Sequence, residues 1–127
     1  MRYQQHYGFT YFVSAFFRHT NRRIIKIGVT RKNIGDRLVV IRNEMTSLED
    51  FRCEGVIEKN IEKQLHQKFS HLRLGRPDLG NEWFHFDFGG EIETFLLTEI
   101  EEGRCSTTFV YHPPESIHNI NHKLRSY

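Results

Sequence analysis

Tyr11-Phe12-Val13-Ser14-Ala15-Phe16-Phe17, Arg18-His19-Thr20-Asn21-Arg22 and Arg23-Ile24-Ile25-Lys26-Ile27-Gly28-Val29 form the stretch on which the fold turns. The first segment is aromatic and apolar throughout, which predicts a strand. The polar segment after it reads as a turn. The third alternates well enough to be the return strand of a hairpin.

Working outward, Asn33 is placed to cap a first helix whose buried stripe is Ile34, Leu38, Ile41 and Met45. Gly35 is tolerable there because it falls in the first turn. Phe51 to Ile57 alternates again and predicts a third strand. Asn60 can cap a second helix with the stripe Ile61, Leu65, Phe69 and Leu72, ended by the loop 75–81. Glu82 to Phe86 reads as a short extended segment. Gly89-Gly90 then leads into a third helix, with Ile92, Phe95, Leu96 and Ile100 inward and Gly103 as its stop. The order predicts an α+β domain, a small antiparallel or mixed sheet with flanking helices, over residues 1–103. Residues 104–127 read as a C-terminal extension or tail, with Thr107 to Tyr111 as an added edge strand and the polar remainder as an arm for a partner.

A chain of 127 residues can bury one core and not two. Its 38% hydrophobic and 27% charged residues exclude a disordered or membrane-spanning class. No apolar run reaches bilayer length and the N-terminus has no signal-peptide core, so a cytoplasmic protein of a bacterial or phage-infected cell is expected. Two cysteines make no disulfide framework, and eight histidines without zinc spacing make no structural zinc site.

The net charge of +2 hides an asymmetry. Before Glu44 there are nine basic residues and a single acid, Asp36. Such a bias can put a positive face on a nearly neutral domain, as phosphate binding requires. Arg22, Arg23, Arg31, Lys32 and Arg42, with Arg73 further on, are the candidate nucleic-acid-binding residues.

Glu62 and His66 stand at i and i+4, on one flank of the second helix beside its apolar stripe. Arg73 falls near the same angle if the helix runs that far. Glu62 sits in the first turn, where a helix N-terminus favours its ionised form, and one ionised carboxylate suits Mg²⁺. Tyr11 and Lys26 lie on adjacent strands, with Arg37 at the rim of the first helix. A tyrosine near two cations has its phenolate favoured and can take a proton from water. Arg37 can stabilise charge developing on a phosphate. Taken singly, each is an ordinary packed or surface residue; their ordered placement carries the case.

That order, Tyr11-Phe12-Val13, Ile25 to Thr30, Asp36-Arg37-Leu38, Ile61 to Phe69 and Asn81-Glu82-Trp83-Phe84, resembles the GIY-YIG nuclease superfamily over Tyr11 to about Phe86. Within it, the phage and bacterial branch with the IKIG, RL, ExxLHxxF and EWF elements is the nearest match. The resemblance implies a metal-dependent endonuclease that cleaves nucleic acid phosphodiester bonds with one Mg²⁺ or Mn²⁺. It maps the tyrosine of the first motif to Tyr11, the arginine to Arg37 and the metal-binding glutamate to Glu62. Lys26 and His66 complete the expected catalytic set. The sequence departs from the pattern where Lys26-Ile27-Gly28 replaces the second name-giving motif, and Asn81 is the candidate for a late asparagine.

The expected partner is nucleic acid, DNA in preference to RNA, with no membrane. A homodimer, or a protein docked through the C-terminal tail, would add the surface that base readout needs. Two alternatives stay open: a non-catalytic nucleic-acid-binding module, and a protein-interaction factor of a phage or bacterium.

Overall fold

The computed structural model describes residues 8–31 and 33–107. The hairpin forms as expected: β1 (Phe9–Phe17) pairs antiparallel with β2 (Arg22–Thr30), in unbroken register from Phe9 opposite Thr30 to Phe17 opposite Arg22. The helix α1 (Ile34–Glu44) follows, then β3 (Leu48–Ile57), α2 (Glu62–Lys68), β4 (Trp83–His85), α3 (Glu91–Glu101) and β5 (Cys105–Ser106). All ladders are antiparallel, in the order β4-β2-β1-β3-β5. The α+β architecture predicted from the sequence is the observed one.

Both faces of the central hairpin are covered, which is why its strands are almost continuously apolar rather than strictly alternating. On one face Tyr11, Val13, Ala15, Phe17 and Ile24 pack against Ile34, Leu38 and Ile41 of α1. On the other, Phe12, Ile25 and Ile27 pack against Leu65 of α2, Phe69, and Ile92 and Leu96 of α3. Trp83 and Phe84 adjoin in β4 and do not share a core. They divide, Trp83 joining the α1 side and Phe84 the α2 side, because neighbouring residues of a strand point to opposite faces.

The helix ends follow local chemistry. Asn33 Oδ1 accepts from Gly35 N at 2.6 Å and Asp36 N at 3.3 Å, the expected cap of α1. Asn60 Oδ1 accepts from Glu62 N at 3.4 Å at the start of α2. That helix is shorter than its stripe suggested. It stops at Lys68, and a 3-10 turn over Ser70–Leu72 swings the chain into an extended Arg73. Arg73 is therefore not on the Glu62 flank; its Nε donates to Asn81 O at 3.0 Å and its guanidinium lies over the Phe84 ring at 5.4 Å.

The edge that matters is β2. β4 pairs only with Ile24 to Lys26, and one further bond, Ile27 N to Glu82 O at 3.2 Å, ends the ladder. Past Ile27, β2 has no strand on its outer side among the described residues. The expected edge strand at 107–111 falls largely outside the described residues, while β5 pairs Cys105 and Ser106 with Ile57 and Val56. No described helix is long and apolar enough to cross a membrane.

Candidate active site

Thr10 sets the stage. Fully buried next to Tyr11, it donates its hydroxyl to Lys59 O at 2.5 Å and accepts from Ile61 N at 2.9 Å. These bonds fasten the β3–α2 connection to β1 and so seat the first turn of α2 over the open end of β2. Leu65 and Phe69 then anchor the helix in the core, leaving Glu62 and His66 on the flank toward that edge.

His66 Nε2 donates to Ile27 O at 2.8 Å, the carbonyl beside the last bond to the β4 segment. The ring also meets Phe84 edge-on at 5.1 Å. Glu62 Oε2 lies 3.9 Å from the same Nε2, close enough for an electrostatic contact and too far for a hydrogen bond. His66 thus holds the helix to the strand, with Glu62 beside the same ring nitrogen.

From the α1 side come the other groups. Tyr11 is fully buried, and Arg37 Nε donates to its hydroxyl at 3.2 Å. Lys26, only 7% exposed, stands between Val13 and Trp83 in the ladders and forms an ion pair with Glu82. The Glu82 carboxylate also stands near enough to Glu62 for its charge to raise the Glu62 proton affinity. Tyr11, Lys26, Arg37, Glu62, His66 and Glu82 thus form one linked cluster drawn from β1, β2, α1, α2 and the start of β4.

Gly28 makes room for it. It is the register partner of Tyr11, and a Cβ on residue 28 would stand 2.5 Å from Tyr11 Cζ. The glycine of Lys26-Ile27-Gly28 is therefore a space requirement set by the tyrosine across the ladder.

The electrostatics differ from the sequence expectation at two positions. Burial raises the Tyr11 phenol above its ordinary range; Arg37 pulls it down by hydrogen bond and charge, and Glu82 and Glu62 push it up. The two cations do not both act on Tyr11, because Lys26 is paired with Glu82. Glu62 is likewise raised, first by burial and then by the Glu82 charge, with His66 and Lys26 opposing. A seven-residue helix and a neighbouring carboxylate replace the favourable N-terminal setting inferred from the sequence.

Glu82 is the residue that sequence reasoning left without a role, although it stood in the quoted Asn81 to Phe84 segment. A signal existed in its place beside an apolar pair, but its partners lie 56 residues away at Lys26 and 20 residues away at Glu62.

The expected basic face does not gather at this cluster. Arg22 pairs with Asp87 at 3.5 Å and Arg23 with Asp50 at 2.9 Å, both at the far end of β2. Arg42 lies in the last turn of α1 and Arg31 is exposed just past β2. Lys32 lies outside the described residues. Both cysteines are free, and burial pushes the Cys53 thiol up to about 11, against any nucleophilic role.

No group of three or more His, Cys, Asp or Glu among the described residues could hold a metal ion. Two neighbouring carboxyl groups, each partly open to water, still suit an ion such as Mg²⁺, which takes one or two carboxylates and keeps several waters. The donor set fits such an ion and does not fit zinc.

The T5orf172 domain family matches residues 8–103, three quarters of the chain, and the chain belongs to that family. The family is phage-associated and related to nuclease-like folds, compatible with a nuclease-like or nucleic-acid-binding role. No curated protein and no solved structure matches the chain.

Proposed function

From membership of the T5orf172 family, we propose that this protein is a GIY-YIG-type, metal-dependent endonuclease acting on nucleic acid, DNA in preference to RNA. The observation that carries this reading is the cluster itself: a buried tyrosine hydroxyl bonded by an arginine, beside two neighbouring carboxyl groups and a paired lysine.

Each group has work to do at a phosphodiester. Glu62, with Glu82 beside it, would hold Mg²⁺ or Mn²⁺, and such an ion supplies polarisation of the phosphate and relief of charge on the leaving oxygen. Arg37 and Lys26 provide fixed positive charge for the extra negative charge on the phosphate oxygens in the transition state. Tyr11 keeps its proton in the free protein. To act as a base it first releases that proton to solvent; Arg37 lowers the cost of the phenolate so formed, which then takes a proton from the attacking water and returns to the phenol. Burial makes that phenolate rarer at rest and more basic once formed. His66 holds the edge of β2 and offsets Glu62.

A nicking assay on supercoiled plasmid with and without Mn²⁺ tests the reading. Wild type nicks with the metal and Glu62→Ala does not, with folding retained. Nicking by Glu62→Ala at the wild-type rate sinks it.

One observation favours binding without cleavage. The resting cluster is largely self-neutralised, with Lys26 paired to Glu82 and Tyr11 protonated. That reading predicts salt-sensitive binding and no cleavage at any metal concentration.

A further inference from the structure

We propose that Glu82 is a positioning residue of this site, holding the Lys26 ammonium beside Glu62 and handing it to a nucleic acid phosphate when the site is filled. The inference rests on the endonuclease reading above for its cleavage arm and on Lys26 alone for its binding arm.

Lys26 emerges in the middle of a two-sided strand, between Val13 and Trp83, where an unpaired ammonium is costly. Its side chain is 9% exposed, and Glu82 supplies the pairing charge. Glu82 is itself 39% exposed in its side chain, so the pair is dry on the lysine side and wet on the carboxylate side. A phosphate approaching from solvent meets Glu82 first.

The Glu82 main chain is fixed on every side. Its carbonyl accepts from Ile27 N at 3.2 Å, Asn81 O accepts from Arg73 Nε at 3.0 Å, and Trp83 O accepts from Leu74 N at 3.0 Å. The side chain thus starts from a rigid corner where β4 begins, and it pairs with Lys26 while its charge also acts on Glu62. A surface ion pair of convenience would have neither the anchored backbone nor Glu62 close by. This arrangement aims the ammonium and, in the empty site, masks it. A phosphate oxygen can take over the ammonium only by displacing the carboxylate, so Glu82 opposes binding and favours the aligned geometry.

These two effects have opposite signs, which separates positioning from scaffolding. In metal-free, low-salt buffer, Glu82→Gln binds a labelled 30-base-pair duplex more tightly than wild type, by roughly fivefold for one unmasked charge. With duplex and Mn²⁺ both saturating, so that any weaker metal binding is overcome, its single-turnover cleavage rate falls at least about tenfold. Glu82→Asp, which keeps the charge, binds like wild type and recovers part of the rate. In the Lys26→Gln background, Glu82→Gln loses most of its effect on binding.

Glu82→Gln that binds no tighter than wild type while retaining the wild-type melting temperature overturns the proposal, as does an undiminished cleavage rate. If Glu82→Gln does not fold, Glu82→Asp that cleaves at the full wild-type rate overturns it equally. Absence of cleavage by wild type defeats the endonuclease reading, while the metal-free binding arm still decides whether Glu82 masks Lys26.

Discussion

Tyr11 stands opposite Gly28 across the β1–β2 ladder, and its ring fills the space that a side chain at residue 28 would occupy. The two positions are therefore one feature: a bulky phenol at the site exists because the facing residue has no Cβ. Arg37 completes it by donating to the buried hydroxyl.

Gly28→Ala is expected to push the ring away and break the bond to Arg37. The clash involves a fully buried aromatic, so overpacking should cost about 1–3 kcal/mol. Thermal denaturation should show a drop of roughly 4–8 °C for each kcal/mol. Cleavage should fall further than stability accounts for, and an unchanged melting temperature would show that the ring has room this structure does not give it.

Tyr11→Phe removes one oxygen and leaves the ring. Arg37 is partly exposed and regains water, so the loss of stability should stay below about 1.5 kcal/mol. The cleavage rate should fall by at least about a hundredfold, as for a lost general base. Nicking by this variant at the wild-type rate would remove Tyr11 from the reaction.

Glu62 gives a prediction for pH. Its carboxyl is raised above the ordinary value of 4.5, so the folded state holds the proton more tightly than the unfolded chain. Stability from this group is fully present below the unfolded value and is lost as pH rises through the folded one. Glu62→Gln should then be more stable than wild type at pH 7, by roughly 0.5–1 kcal/mol, and the gain should vanish in acid. Urea denaturation at both pH values measures it; a variant less stable than wild type at pH 7 would show that burial and Glu82 do not dominate.

Mn²⁺ should raise the melting temperature of wild type by mass action, because the folded state gathers the two carboxyl groups and the unfolded chain does not. The rise should be absent in Glu62→Gln. An equal rise in both would place metal binding elsewhere.

The arginines divide by location. Arg31→Gln, at an exposed position just past β2, should lower the slope of log K against log salt by about 0.9, one phosphate contact. Arg22→Gln should leave the slope unchanged, since Asp87 already neutralises that charge. Equal effects would mean that nucleic acid lies along the whole length of β2.

Much of the fold was legible along the chain because its causes are local. The apolar runs of β1 and β2, the Asn33 cap, the α1 stripe and the Gly103 stop act over a few residues and formed where periodicity put them. The sequence also brought Tyr11, Lys26, Arg37, Glu62 and His66 into one reading; in the structure Arg37 bonds Tyr11, His66 lies beside Glu62, and Lys26 pairs with Glu82. What periodicity could not reveal was the early end of α2, which sends Arg73 to Asn81 and Phe84. Nor could it place Trp83 and Phe84, whose division depends on which residue of β4 faces which helix.

The sequence by itself determined the hairpin, the helices and the kinds of chemical group available. Only the tertiary structure decided their electrical state and the part of Glu82. Proton affinity depends on burial and on charges brought close by packing, neither of which is a property of neighbours in the chain. Burial above all keeps Tyr11 a protonated phenol, and Lys26 found Glu82 rather than Tyr11 as its partner.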